Sequence, residues 1–335
     1  MTVADLGEHA LLARILARLP RPSPLVLVGP GDDAAVLAPV RNERLVVTTD
    51  AVVEGVHFSR AFSSPADIGH RALAVNLSDL AAMGATPRWA LLSLVLPGSW
   101  LVADVEDLVD GMGALAGWHG VSVIGGNITR TDGPLVVDIT AGGGVGSRKW
   151  LTRSGAKAGH EIWLSGAIGG AAAGLEMLRG AVPGSGLPAT DCVRRHQRPE
   201  PRVRLGMALA RARVARAAMD LSDGLADALR QVAAASGVGV RIDADALPIE
   251  PGAREWWTSR GEDAELRAIA GGDDYELLFA VPPKSGRALR AVGRQISDPP
   301  LTKIGVFTKA PGSLVVVRGN EEHALPEGFE HFANR

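Results

Sequence analysis

The sequence predicts a mixed α/β protein, α/β with α+β character, built from two domains. Three observations lead there. The chain has 335 residues, about twice the ~150 of an ordinary domain, so each half is long enough for a core of its own. Short apolar runs alternate with helical stripes through both halves, and neither half carries a short-period repeat. Between Ser147 and Gly159 the composition turns basic and polar, with Arg148, Lys149, Arg153 and Lys157, as a boundary segment does. The expected domains are residues 1–147 and 148–335.

In the first half, Asp5 and Glu8 have capping-box spacing, and Leu12, Ile15, Leu16 and Leu19 form a helical stripe that Pro20, Pro22 and Pro24 end. Leu25-Val-Leu-Val28 then leads into Gly29-Pro-Gly-Asp-Asp-Ala-Ala-Val36, which reads as a strand, a tight turn and a return strand. Leu45 to Thr49 is a buried strand ending at Asp50, and Val52 to Val56 continues extended and delivers Glu54 and His57. Ser64-Pro65 opens a helix with proline at its first position. It runs through Ile68, Ala72, Val75 and Leu80 to Gly84, with Asn76 and Asp79 on one face. A strand at Trp89–Leu96, a helix at Asp104–His119, a strand at Val121–Ile124 running into Gly125-Gly-Asn-Ile-Thr-Arg130, and a strand at Leu135–Thr140 complete this half.

The second half restarts with a strand at Glu161–Ser165 and a glycine turn, Gly166-Ala-Ile-Gly-Gly170, that opens an alanine-rich helix. A loop over Gly180–Pro188 precedes a helix expected over Pro201–Ala217, and Met219-Asp-Leu-Ser-Asp-Gly224 starts another helix through Leu225 and Leu229. Strands at Val238–Ile242 and Tyr275–Val281, a helix at Ser285–Ile296, and strands near Ile304 and Leu314 follow.

Composition removes several function classes. Net charge is −2, so no basic field points to nucleic acid or an anionic membrane. The single cysteine, Cys192, leaves no internal disulfide and no multi-cysteine zinc site, and reads as a packing residue. The N-terminus lacks the basic and apolar regions of a signal peptide, and no apolar run approaches the ~20 residues of a membrane span. A soluble, cytoplasmic protein is expected. The 41 glycines sit at the ends of apolar runs, which fits turns close to a ligand better than disorder.

The chemistry lies in carboxylates that recur beside Gly, Ser or Thr where apolar runs end. Asp33, Asp50, Asp79, Asp220 and Asp223 form such a set. Gathered together, these charges would repel unless cations compensated them, and Mg²⁺ bridging phosphates is the economical reason to gather them. Thr48 and Thr49 can add oxygens. Separately, each acid can also be a helix cap or a turn residue. Gly125-Gly126 and Gly166–Gly170 have the form of phosphate cradles, and Arg153 at the boundary can pair with a phosphate. His57 has no second histidine at metal-ligand spacing. The chain has no P-loop, no protein-kinase elements and no Ser-His-Asp or Cys-His set.

Taken together, several segments resemble the thiamine-monophosphate kinase family, within the ATP-binding superfamily that includes aminoimidazole ribonucleotide synthetase. They are Gly31-Asp-Asp-Ala-Ala-Val36, Thr49-Asp-Ala-Val-Val-Glu-Gly-Val-His-Phe58, Ala74-Val-Asn-Leu-Ser-Asp-Leu-Ala-Ala-Met-Gly-Ala85, Leu151-Thr-Arg-Ser-Gly-Ala156, Asp220-Leu-Ser-Asp-Gly-Leu225, Gly271-Gly-Asp-Asp-Tyr-Glu-Leu277 and Gly328-Phe-Glu-His-Phe332. They occur in the family's order over nearly the whole chain. The resemblance implies direct transfer of the γ-phosphate of ATP to thiamine monophosphate, giving thiamine diphosphate, in a two-domain fold. There the N-terminal domain would bind ATP and Mg²⁺ and form a homodimer, while the C-terminal α/β domain would close the active-site cleft. By motif, Asp33, Thr48, Thr49, Asp50, Asp79, Asn127, Asp220 and Asp223 would hold several Mg²⁺ ions. Gly126, Asn127, Arg153 and Ser222 would contact ATP, and His57, Asp273 and Phe329 the thiamine substrate.

Two positions depart from the family pattern. Asn127 stands in Gly125-Gly-Asn-Ile-Thr129 where the family usually has aspartate; it keeps an oxygen and loses a charge, so one metal site should be weaker. Asp273 stands where glutamate is common and reaches less far. The alternatives are another ATP-using enzyme of the superfamily, or a weakened binder of thiamine phosphates or nucleotides. A hydrogenase-maturation carbamoyl dehydratase would carry a reactive C-terminal cysteine, whereas this chain ends Phe332-Ala-Asn-Arg335.

Overall fold

The computed structural model describes residues 1–30, 34–180 and 191–328. The chain divides into two compact units, Met1–Leu80 with Thr86–Ser147, and Ala81–Ala85 with Arg148–Arg335.

The first unit opens with α1 (Val3–Leu6) and α2 (Glu8–Arg18), followed by the short strands β1 (Val26–Val28) and β2 (Val36–Leu37). The capping box lies one turn earlier than the spacing of Asp5 and Glu8 suggests: Thr2 N donates to Asp5 Oδ2 at 2.8 Å and Asp5 N to Thr2 Oγ1 at 3.3 Å. The strand-turn-return reading holds for β1 and β2, which pair antiparallel with Val28 opposite Val36. Four longer strands, β3 (Glu43–Val53), β4 (Thr86–Pro97), β5 (Ser122–Thr131) and β6 (Val136–Gly146), make one mixed sheet in the order β3-β6-β4-β5, with only the β4–β5 pair parallel.

Two helices, α3 (Pro65–Ala82) and α4 (Val102–His119), bring the apolar core of this unit. Ser64 caps α3 reciprocally: Ser64 N donates to Asp67 Oδ2 and Asp67 N to Ser64 Oγ, both at 3.2 Å. Leu73, Leu77 and Leu80 of α3 and Val105, Leu108 and Val109 of α4 are fully buried. The two helices cross at glycines. A Cβ on Gly69 would stand 1.9 Å from Leu108 O, and one on Gly111 would stand 2.0 Å from Ala66 O.

The second unit contains, in chain order, β7 (Glu161–Ser165), α5 (Gly170–Gly180), α6 (Asp191–Gln197), α7 (Val203–Ala212), β8 (Ala217–Asp220), α8 (Leu225–Ser236), β9 (Gly239–Asp243), α9 (Pro251–Thr258), α10 (Ala264–Ala270), β10 (Leu277–Val281), α11 (Gly286–Ile296), β11 (Leu301–Thr308), β12 (Leu314–Arg318) and β13 (Glu321–Ala324). Its strands form one sheet in the order β13-β12-β9-β11-β7-β10-β8, in which β12–β9 is the parallel pair.

The helix expected over Pro201–Ala217 stops at Ala212, where Arg213 adopts a left-handed conformation with φ 52°. Ala217 to Asp220 are instead the buried strand β8. Small residues buried on both faces show no alternation, so this strand resembles a continuation of the helix.

Candidate active site

β3 and α3 assemble the polar end of the first unit. Alternation along β3 puts Thr48 and Asp50 on one face and Thr49 on the other. Thr48 Oγ1 donates to Asp79 Oδ2 on α3. One turn earlier on α3, the fully buried Asn76 donates through Nδ2 to Ala72 O at 3.1 Å and to Asp50 O at 3.5 Å. Its Oδ1 is buried with no hydrogen-bond partner among the described residues. Thr49 turns away from this group, with its Oγ1 3.0 Å from Thr140 Oγ1 and donating to Ile139 O at 3.2 Å. The side chain of Thr49 therefore does not join Thr48 and Asp79. Asp33 lies outside the described residues.

His57 follows the end of β3, and its Nδ1 accepts a hydrogen bond from Val53 N at 3.0 Å. An accepting Nδ1 places the proton of neutral imidazole on Nε2.

Gly126 and Asn127 lie on β5, where Leu92 pairs with Gly126 and Ser93 with Asn127. A Cβ on Gly126 would come within 1.8 Å of Leu92 O, so this position admits only glycine while the strands keep their register. Asn127 Nδ2 donates to Thr129 Oγ1 at 2.9 Å, with both side chains exposed. Beside them, a cavity of about 430 Å³ is lined by α2 residues Leu12 and Leu16 and by Leu92, Leu94 and Ile128.

In the second unit, two glycine-rich segments dock against each other. β8 ends at Asp220, which pairs with Leu277 of β10. Beyond the paired strands the backbones stay in contact: Leu221 N donates to Glu276 O at 2.9 Å, Tyr275 N to Leu221 O at 3.0 Å and Asp273 N to Ser222 O at 2.7 Å. A Cβ on Gly272 would meet Ser222 O at 2.7 Å. Asp220 is 4% exposed, and Ser222 and Asp223 are half-buried. Asp273 Oδ2 stands 3.8 Å from His196 Nδ1, and Tyr275 Oη donates to Asp273 Oδ1 at 3.2 Å. Arg153 Nη1 donates to Gln231 Oε1 of α8. Phe329 lies outside the described residues.

The turn Gly166–Gly170, with the form of a phosphate cradle, already holds a carboxyl group of the protein. Gly169 N donates to Asp274 Oδ2 at 2.7 Å and Ala171 N to Asp274 Oδ1 at 3.4 Å. Burial pushes the Asp274 carboxyl up to about 7, against the pull of those two N–H groups. Nearby, the fully buried Glu276 accepts from Arg202 Nε at 2.7 Å and from Ser165 Oγ at 2.6 Å. Sequence reasoning missed Asp274 and Glu276. The available signal was that two further acids follow the Gly-Gly pair inside a segment that enters a buried strand. Cys192 is buried, and burial raises its thiol to about 11, as a packing residue requires.

Every designated donor is a hard oxygen or an amide. Among the described residues no three His, Cys, Asp or Glu side chains converge as a metal-holding group. Magnesium is commonly held by one or two carboxylates together with water and substrate phosphates, so this donor set fits it without an all-protein cage. The buried, unpartnered Asn76 Oδ1 beside Asp50 and Asp79 is a further oxygen of the same kind.

The chain is similar to known proteins over most of its length. Residues 31–145 match the model of the AIR synthase related protein N-terminal domain, and residues 157–318 that of the C-terminal domain. The thiamine-monophosphate kinase of Escherichia coli K12 is 39% identical over 332 residues, covering 98% of both chains. The crystal structure of thiamine-monophosphate kinase from Stenotrophomonas maltophilia K279a superposes with a TM-score of 0.79 at 42% identity, covering 92% of this chain and 94% of that one. AaThiL complexed with AMPPCP and TMP superposes with a TM-score of 0.76 at 30% identity, covering 99% of both chains. With matches of this extent at both levels, the chain belongs to the thiamine-monophosphate kinase family of the AIR synthase related proteins.

Proposed function

We propose that the protein transfers the γ-phosphate of ATP directly to thiamine monophosphate, forming thiamine diphosphate and ADP. The observation that carries this reading is likeness along the full length: 39% identity over 98% of a thiamine-monophosphate kinase. The related AaThiL is solved with AMPPCP, an ATP analogue, and TMP.

The chain's own groups support a positioning mechanism. Two polyanions must meet in line, so most of the catalysis would come from holding them and from neutralising their charge. Asp79 with Thr48, Asp50, Asp220 and Asp223 are proposed to hold Mg²⁺, together with Asp33, Asn127 and an oxygen of Thr49. Bound there, Mg²⁺ would neutralise charge on the transferred phosphoryl group. Gly126, Asn127, Arg153 and Ser222 are proposed to contact ATP, with the cavity beside Gly126, lined by Leu12 and Leu16 and by Glu8 and Asn127, proposed to take the purine. His57, Asp273 and Phe329 are proposed to face the thiamine substrate. Cys192 is buried, which supports a route without a cysteine-bound intermediate.

The test is product formation by purified protein with ATP, Mg²⁺ and thiamine monophosphate, beside Asn127→Asp. Thiamine diphosphate and ADP are expected in equal amounts. If Asn127 weakens a metal site, the variant reaches half-maximal rate at a lower Mg²⁺ concentration, by about threefold to tenfold for one added carboxylate. No product from either folded protein would reject the substrate assignment.

A homodimer and a cytoplasmic location, where ATP is available, belong to the same proposal. Among the described residues no helix is long and apolar enough to cross a membrane. Leu45 and Val47 of β3 are 70% and 52% exposed, and Leu91 of β4 is 37% exposed. Thr49 and Leu91 both pair with Thr140, so these apolar side chains share the sheet face away from Thr48 and α3. A second copy covering this face would bury it. Leu45→Asp is expected to convert a dimer into a monomer in sedimentation equilibrium; a wild type that is monomeric at micromolar concentration would contradict the pairing.

A further inference from the structure

Asp273 sits in a segment that the chain would not adopt unaided. Its φ is 68° and that of Tyr275 is 50°, both in the left-handed region that costs ~1–3 kcal/mol for a residue with a side chain. Between them the Asp274 carboxylate turns inward, 6% exposed, and takes the N–H groups of Gly169 and Ala171 at 2.7 and 3.4 Å. Tyr275, 7% exposed, returns its hydroxyl to Asp273 Oδ1 at 3.2 Å. The backbone on either side is pinned to Ser222 O and Leu221 O. Asp273 is thus fixed by its two successors, one anchoring the loop to the first turn of α5 and one bonding the carboxylate itself.

We infer that Asp274 and Tyr275 are positioning residues for the acceptor substrate, acting through the carboxylate of Asp273. The inference rests on the proposed reading in which Asp273 faces thiamine monophosphate. The hydrogen bonds of the Asp274 carboxyl go to Gly169 N and Ala171 N, and the Tyr275 hydroxyl donates to Asp273. Their effect on turnover therefore passes through where Asp273 stands. Asparagine at 274 keeps the volume but presents an amide NH₂ where an oxygen now accepts, so one anchor is lost. Phenylalanine at 275 removes only the hydroxyl.

The experiment measures KM and kcat for Asp274→Asn, Tyr275→Phe and Asp273→Ala, and for each double variant with Asp273→Ala, varying thiamine monophosphate and ATP separately. KM for thiamine monophosphate should rise about tenfold in Asp274→Asn and about threefold in Tyr275→Phe, with KM for ATP within about twofold of wild type. In the Asp273→Ala background neither second substitution should add to the loss. Equal changes in both KM values, a loss confined to melting temperature and kcat, or full additivity with Asp273→Ala would overturn the inference. If Asp274→Asn does not fold, Tyr275→Phe decides by the same criteria. A wild type that forms no thiamine diphosphate rejects the functional reading and this inference with it, whereas an active wild type with additive variants rejects the inference alone.

Discussion

Asp220→Asn is expected to lower kcat/KM for thiamine monophosphate by about 10³-fold, the scale of losing one group that stabilises transition-state charge, while the protein stays folded. Asp220 ends β8, is 4% exposed and pairs through its backbone with Leu277. Asparagine preserves its size and an accepting oxygen, so the strand end and the docked Leu221–Gly224 segment should keep their place. Only the negative charge is removed, and charge is what a magnesium ligand supplies. Urea denaturation monitored by tryptophan fluorescence, alongside the rate assay, separates the two contributions. Equal loss of stability and rate would mean that Asp220 is structural. A fall in rate with unchanged stability, partly restored by raised Mg²⁺, is the outcome expected of a ligand. Asp79→Asn, which weakens the partner of Thr48, should behave alike.

Glu276→Ala is expected to destabilise the second unit by about 3 kcal/mol, the lower end of the cost of breaking a buried pair, because Arg202 keeps Glu200 at 3.1 Å. Glu276 is 0% exposed and Arg202 keeps 11% of its side chain accessible. Arg202 Nε at 2.7 Å, Ser165 Oγ at 2.6 Å and Arg195 Nη1 at 3.4 Å all converge on the Glu276 carboxylate. Removing it leaves the Arg202 guanidinium with the exposed Glu200, 3.1 Å away, in place of a buried partner, and deprives Ser165 Oγ of its acceptor. The double replacement Glu276→Leu with Arg202→Met should recover most of the loss, because a buried pair exchanged for apolar groups of similar volume is often neutral. A single variant within about 1 kcal/mol of wild type would place the pair in the class of screened surface bridges.

Much of the chain was legible because its apolar runs end at residues with strong local preferences. β7 falls on Glu161–Ser165 as expected, and α3 starts at Pro65 behind its Ser64 cap. What was not legible depended on partners distant in sequence. The glycines of Gly166–Gly170 look the same whether their N–H groups meet a substrate phosphate or a carboxylate 105 residues away; here the first turn of α5 serves Asp274. β8 was hidden because its alanines carry no pattern that distinguishes a strand buried on both faces from the end of α7.

The candidate site divides the same way. The motif around Asn76 and Asp79 correctly indicated one helix face, and that face meets Thr48. Strand alternation alone implies that Thr48 and Thr49 point apart, and the structure has Thr49 bonded toward Thr140 on the opposite face. The close approach of Gly126 to Leu92 O shows that a glycine can owe its place to sheet geometry as much as to a phosphate.

The most direct test of the central claim follows the labelled γ-phosphate of ATP during a single turnover with thiamine monophosphate and Mg²⁺. The label should appear in the terminal phosphate of thiamine diphosphate at the rate at which ADP forms, with none retained on acid-quenched protein. Label released as inorganic phosphate, with thiamine monophosphate unchanged, would contradict direct transfer to this substrate.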